Sequence, residues 1–347
     1  MTEGDTHLSY CRHARGRALL ISERGSLYVA RGYTIERSDD FGATWNLDCE
    51  IPARGWKPWV ARVSIGARLL RFNIQSMRLL QDGTRVAVAR DGVYVARQGE
   101  TEMRRSWQVL RGSRPINLSV EGNRVVFGEY GGAEMDSVEV KIYCSEDGGE
   151  HFEQAYAFPR GDIHHLHNVV VDRHEDHYWV LAGDHGRTPG IAALSKDFRT
   201  LEWVARGSQM ARAVAVLVRR DYLIYGSDTE LEPNYIIRLE KKTGRCERVA
   251  PIDGSSLYAA DIGATGFISS CVEPSAVNKV RAARLYGSTD DETWTPRCSL
   301  AKDRWHSVLF QYGLIVLPYV GAAGVSHGMI SGQALADHHD RVSIFRA

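Results

Sequence analysis

The chain has 347 residues, of which 25% are charged and 44% hydrophobic, the balance of a soluble globular protein. Lys+Arg and Asp+Glu each number 43, so the formal net charge is zero. That balance argues against a nucleic-acid or anionic-membrane partner, for which a basic excess is the usual footprint.

Met1-Thr2-Glu3-Gly4-Asp5 is polar and has no apolar run behind it, so no signal peptide is read and the cytoplasm is the expected location. An exported protein with its leader removed would read the same way. No apolar segment of about 18 residues follows anywhere. Short β-rich runs separated by Gly, Asp and Asn turns fill the chain instead, and no stretch shows helical periodicity. The first unit reads Ala18–Ile21, Ser26–Ala30 and Thr34–Arg37, then the turn Ser38-Asp39-Asp40-Phe41-Gly42-Ala43-Thr44-Trp45. Later units supply Met77–Leu80, Arg85–Val88 and Gly92–Val95; Val125–Phe127 and Val138–Tyr143; Asn168–Val171 and Tyr178–Leu181. Then come Val214–Val218, Tyr222–Tyr225 and Tyr235–Arg238; Thr265–Ile268 and Val280–Tyr286; and finally Ser307–Phe310, Leu314–Leu317 and Val342–Phe345. Six scattered cysteines with no CxxC pair argue for free thiols rather than a disulfide framework.

The Ser38–Trp45 turn has a physical logic. Ser and Asp side chains bond nearby backbone N–H groups, Gly42 supplies a conformation a Cβ would oppose, and Trp45 anchors the next strand. The pattern returns at Ser145-Glu146-Asp147-Gly148-Gly149-Glu150-His151-Phe152, more weakly at Ser288–Trp294, and as an echo at Ser195-Lys196-Asp197 with Trp203 beyond. Ser38, Ser145, Ser195 and Ser288 are spaced by 107, 50 and 93 residues, which sets a unit of about 50 residues. The motif resembles the Asp-box (BNR) repeat of sialidase-like β-propellers. With the ruler, it implies an all-β, seven-bladed β-propeller of four-stranded antiparallel blades spanning 1–347 as one domain, with six blades the runner-up. Closing the ring would require the segment near Leu8–Cys11 to pair into the last blade.

The resemblance places the Asp boxes between the third and fourth strands, away from the functional face. The opposite face carries the loops after each second strand and the loops between blades. The first set holds Glu129 and Tyr130, Asp184, His185 and Arg187, Asp228, Glu273 and, in the last unit, Tyr319. The second set holds His164, His165 and His167, Arg212, Tyr258, His306, and Trp56 and Trp59. Strand alternation puts His165 and His167 on one side, as an acid/base pair or metal ligands, with His164 opposite. The mixture suits sugars, since carboxylates, Arg and His bond hydroxyls and aromatics stack on ring faces.

Three functions are therefore expected. A glycoside hydrolase would use two of Glu273, Asp184, Asp228 and Glu129 as its carboxylate pair, Glu273 and Asp184 foremost. A polysaccharide lyase acting on a uronic acid, as in some propeller lyases, would use His165, His167 or His185 with Tyr258, and Arg212 against the uronate. A non-catalytic glycan- or protein-binding propeller is the third. Arg212, Arg187, Glu129, Tyr130, Asp228, His306, Tyr319 and Trp59 are the expected substrate contacts. No cofactor is required by either chemistry, and a divalent metal is left open. The Arg-Ile-Pro segment of true sialidases is absent, Ile51-Pro52-Ala53-Arg54 having the wrong order, so sialidase activity itself is not expected.

Overall fold

The computed structural model describes residues 8–52, 73–306, 311–322 and 324–347. Trp56, Trp59 and the expected strand Ser307–Phe310 lie outside the described residues. Every regular element of any length is a strand; the helical segments among the described residues are two short 3-10 turns.

The first blade contains β2 (Arg17–Ile21), β3 (Leu27–Arg31), β4 (Thr34–Ser38) and β5 (Asn46–Glu50). The second contains β6 (Ser76–Leu79), β7 (Arg85–Ala89), β8 (Gly92–Ala96) and β9 (Arg104–Gln108). The third contains β10 (Ser119–Glu121), β11 (Arg124–Gly128), β12 (Val140–Ser145) and β13 (Glu153–Phe158). The fourth contains β14 (His165–Val171), β15 (His177–Gly183), β16 (Gly190–Ser195) and β17 (Leu201–Arg206). The fifth contains β18 (Leu217–Val218), β19 (Tyr222–Gly226), β20 (Asn234–Glu240) and β21 (Cys246–Ile252). Each pairs in antiparallel sequence order, and the two-residue β27 (Tyr319–Val320) adds in parallel to β2.

The remaining strands form one continuous eight-stranded sheet. It contains β22 (Ser256–Ile262), β23 (Thr265–Val272), β24 (Ala282–Ser288), β25 (Thr295–Ala301), β26 (Gly313–Val316), β28 (His327–Gln333), β29 (Arg341–Arg346) and β1 (Tyr10–Arg15). The long β23 is the cause. Its body pairs with β24, while Cys271 and Val272 at its end pair with Leu314 and Gly313 of β26. Among the described residues the expected seven separate blades are thus corrected to five, with the last strands fused. The closing strand is as expected: β1 pairs antiparallel with β29, Tyr10 opposite Phe345, and covers an edge that would otherwise be open.

First strands of successive blades lie against one another, β2 with β6, β10 with β14 and β18 with β22, so they line the ring's centre. Packing explains the sequence pattern. The second and third strands of the second blade, RVAVA and GVYVA, are buried throughout because neighbouring blades cover both faces. The outer β9 is partly exposed along its length. Buried clusters bridge blades: Trp179, Leu181 and Ile191 of the fourth meet Leu223, Tyr225 and Ile237 of the fifth. Each such side chain contributes roughly 1.5–3 kcal/mol on burial.

All four Ser–Asp turns fall between a third and a fourth strand, and they share one geometry. Ser38 Oγ donates to Asp40 Oδ1 at 2.8 Å and accepts from Gly42 N–H at 2.8 Å. Asp40 then accepts Thr44 N–H at 2.9 Å. Ser145–Asp147, Ser195–Asp197 and Ser288–Asp290 repeat the hydroxyl–carboxylate bond at 2.7, 2.5 and 2.9 Å. The residue after the Asp is left-handed in each: Phe41 (φ 56°), Gly148 (φ 80°), Phe198 (φ 60°) and Asp291 (φ 59°). Three of these carry a Cβ in a conformation that costs about 1 kcal/mol, and the surrounding hydrogen bonds hold them there.

Candidate functional site

The starts of the first strands and the ends of the second strands meet at one end of the ring. β14 begins with His165 and carries His167; a register irregularity between Leu166 and Asn168 accompanies them. Both rings are buried on the same side, as alternation predicts. His165 Nδ1 donates to Gly131 O at 2.7 Å and His167 Nδ1 to Ala213 O at 2.9 Å, which fixes both tautomers. The two Nε2 atoms flank Asp184, just past β15: His167 Nε2 lies 2.9 Å from Oδ1 and His165 Nε2 3.3 Å from Oδ2. Gly183 permits this approach, because a Cβ there would stand 2.3 Å from His167 Cε1. His164 points elsewhere, its Nδ1 2.5 Å from Asp136 Oδ1.

Arg212 ties the fourth blade to the fifth. Its Nη2 lies 3.1 Å from Asp184 Oδ1, its Nε 3.5 Å from Asp228 Oδ2 and its Nη1 2.7 Å from Glu230 Oε2. Gln209 Nε2 donates to Asp184 O at 3.1 Å. Asp184, Asp228 and Glu273 surround Tyr130, whose phenol burial and these three charges push up to about 12.

The carboxylates are electrostatically unequal. Burial alone would raise Asp184, but His167, which donates to it, and the neighbouring His165 hold it well below the usual range. Burial raises Asp228 above the ordinary carboxylate value despite Arg212. Glu273 is pushed up to about 7, by burial first and then by the Asp228 charge. The histidines also divide. Burial works against protonating His167, yet Asp184 and Asp228 raise it overall, whereas burial lowers His165.

Other expected residues lie apart from this group. Glu129 is buried inside its own blade, where Oε2 accepts Lys141 N–H and Arg111 Nη2, each at 2.9 Å. Its role there is to staple strands. Tyr258 Oη accepts from Arg17 Nη2 at 2.6 Å and lies 3.4 Å from Gln75 Nε2, while Arg17 Nη1 reaches Gln333 Oε1 at 2.8 Å. Tyr319 stacks on Arg78, the guanidinium carbon 3.9 Å above its ring, deep in the channel rather than at the rim. Arg187 and His306 are exposed, and His185 is exposed with Nδ1 3.6 Å from Glu230 Oε1. Sequence reasoning passed over Glu230, Gln209, Arg17, Gln75 and Gln333. Glu230 lies two residues beyond Asp228. Arg17 begins β2 as His165 begins β14, and Gln75 immediately precedes β6.

Metal-ligand types converge in two sets around Asp184, His164/His165/Asp184 and His167/Asp184/Asp228. No set joins the two buried histidines, and Arg212 already engages Asp184 and Asp228 in the second. A third set, Asp172/Glu175/His177, surrounds the Lys241 ammonium, which lies 2.5 Å from Asp172 Oδ2. A cavity of about 770 Å3 lies away from this cluster; it occupies the channel and opens on the face of the Ser–Asp turns. Among the described residues no helix is long and apolar enough to cross a membrane.

No family model matches the chain, and no curated protein matches it. Solved structures do. The chain is similar to YCF48 bound to D1 peptide, at TM-score 0.57 and 13% identity, covering 98% of this chain and 99% of that one. The WD40 β-propeller domain of Doa1 aligns at TM-score 0.52 and 13% identity over 98% and 96% of the two chains. The extracellular domain of BT4673 from B. thetaiotaomicron aligns at TM-score 0.57 and 10% identity over 99% of this chain and 40% of that one. At these identities the likeness shows the fold, a β-propeller, and no activity.

Proposed function

We propose that this β-propeller is a carbohydrate-active hydrolase, with Glu273 as proton donor and Asp184 as its ionised partner at the rim. One observation carries the reading: the environment drives two rim carboxyls in opposite directions. Glu273, pushed up to about 7, keeps its proton near neutral pH while Asp184 stays charged. Glycoside hydrolysis needs that division between an acid that protonates the leaving oxygen and a carboxylate that acts on the opposite side. The Ser–Asp turns, with their resemblance to the Asp boxes of sialidase-like propellers, point to the same substrate class. Tyr130, His185 and Glu230 are partly or fully exposed around the pair and offer hydrogen bonds to sugar hydroxyls.

A second reading, a lyase on a uronic-acid glycan, is favoured by Tyr258. Its oxygen accepts a 2.6 Å bond from Arg17, which sets a phenol oxygen and a guanidinium side by side, the two groups that removal of a C5 proton beside a uronate carboxylate calls for. The two are separated by incubating the protein with neutral and uronic-acid oligosaccharides and following reducing ends and ultraviolet absorbance together. Hydrolysis yields reducing ends without absorbance, and Glu273→Gln lowers turnover by roughly 100-fold or more. Full turnover in that variant sinks the hydrolase reading. New absorbance that is lost in Tyr258→Phe establishes the lyase. Retention of a glycan with no cleavage assigns the rim to binding.

A further inference from the structure

The channel's other half presents an opposite electrostatic problem. Arg78, on the first strand of the second blade, is 3% exposed. Its guanidinium stacks on Tyr319. Nη1 donates to Met77 O at 2.8 Å and Nη2 to Asn117 Oδ1 at 2.5 Å. Those are two of its five N–H groups, and the buried Nε has no partner. Arg212 and Arg219 each engage two or more carboxylates, whereas among the described residues Arg78 engages none. Outside the described residues, 53–72, 307–310 and 323 contain no Asp or Glu, and the N-terminal seven contain Glu3 and Asp5. Burial without an anionic partner brings the guanidinium down to about 10. Such a group is costly to leave unpaired in a low-dielectric interior.

Arg78, Asn117 and Tyr319 line the cavity of about 770 Å3 that opens at the Ser–Asp-turn face. The stack on Tyr319 fixes the guanidinium plane, and the bond to Asn117 Oδ1 leaves the Asn117 amide N–H groups as further donors. Of the six acidic residues lining the cavity, Asp172 and Glu175 share Lys241, Glu121 and Asp176 share Lys196, and Asp261 is paired with Arg219. An anion entering the cavity therefore meets donors on an orphaned cation rather than a wall of free carboxylates.

We propose that the central channel is a binding site for a small anionic molecule, whose phosphate or carboxylate group is held by Arg78 and Asn117 against Tyr319. The fork of Nε and an Nη offers the two parallel N–H bonds that planar carboxylate and phosphate oxygens accept. The cavity is large enough for a molecule well beyond the bare ion, which fits a metabolite carrying the group rather than the group alone. The site is distinct from the Asp184–Glu273 rim and does not depend on the reading given to that rim.

The test is calorimetric titration of the full chain with inorganic phosphate and, separately, with succinate, each to about 10 mM. Saturable binding of one equivalent of either supports the site, and the tighter of the two identifies the group. Arg78→Met keeps the aliphatic stem over Tyr319 and removes the charge; the expected loss of affinity is roughly tenfold or more. Wild-type protein that binds neither anion, or a folded Arg78→Met that binds as tightly as wild type, overturns the proposal. Should Arg78→Met not fold, bromide soaked into wild-type crystals decides the matter. Anomalous density against the Arg78 guanidinium upholds the site, and bromide found only elsewhere refutes it.

Discussion

Replacing Asp184 by Asn tests the electrostatic core of the rim. In the native protein His167 has Nδ1 on Ala213 O and Nε2 on Asp184 Oδ1, each at 2.9 Å. An imidazole that donates from both nitrogens is an imidazolium, consistent with a pKa raised by Asp184 and Asp228 against the penalty of burial. Asp184→Asn keeps the shape and removes the charge. A charge-assisted hydrogen bond is worth about 1.5–3 kcal/mol. At 1.36 kcal/mol per pKa unit, His167 should titrate about one to two units lower in the variant. The assay is the His167 Cε1–H resonance followed by NMR from about pH 5 to about pH 10. Stability follows with a defined sign. A raised histidine contributes stability that is complete below its unfolded pKa and lost as pH rises through its folded one. The part of the Asp184→Asn penalty due to His167 therefore shrinks as pH rises, because the Asp184 carboxylate itself stays ionised throughout. Arg212 loses one partner at every pH but keeps Asp228 and Glu230. A His167 resonance that titrates identically in both proteins would refute the reasoning.

Lys241→Met leaves Asp172 buried against Trp179 without its cation, and should destabilise the protein by about 3–5 kcal/mol in urea denaturation at neutral pH. Lys241 holds Asp172 below its ordinary range against burial, so that contribution is present at neutral pH. It is lost on acidification through the native pKa, and the gap between variant and wild type should close there. Gly183→Ala puts a methyl 2.3 Å from His167 Cε1, which should destabilise by about 1–3 kcal/mol and abolish the raised His167 titration. Ser145→Ala removes the acceptor of Gly149 N–H and the donor to Asp147, at about 1–3 kcal/mol, with turnover unchanged because the turn lies on the opposite face.

The Ser–Asp turns were legible because their bonds close within eight residues, so composition alone dictates them. The positions of Asp184, Asp228, Glu273 and Tyr130 were legible for a related reason. A strand of regular length delivers the residue after it to a fixed end of the ring. His165 and His167 followed from alternation. Pairing was not legible. Nothing in the Glu129 loop announces that Arg111 and Lys141 N–H turn its carboxylate into the blade. Nothing near Tyr319 announces a stack on Arg78, some 240 residues away in sequence. The blade number failed likewise, because the two bonded pairs between β23 and β26 that fuse the last sheet are backbone contacts without a side-chain signature.

The charge count at the rim explains why Glu273 differs from its neighbours. Asp184, Asp228, Glu230 and Glu273 share one guanidinium, Arg212, and the imidazolium of His167. Four anions against two cations in a partly buried space cannot all stay ionised at ordinary cost, since like charges raise one another's pKa. The proton goes where it is least opposed. Asp184 is held by Arg212 and His167, and Glu230 has a 2.7 Å bond to Arg212. Among the described residues Glu273 has no cation of its own, so burial first and then the Asp228 charge, opposed by a hydrogen bond from Ser255, carry it up to about 7. Its acidity is therefore a property of the whole cluster. Replacing Asp228 by Asn should lower Glu273 even though no bond joins them, and it would carry any basic limb of the pH–rate profile down with it.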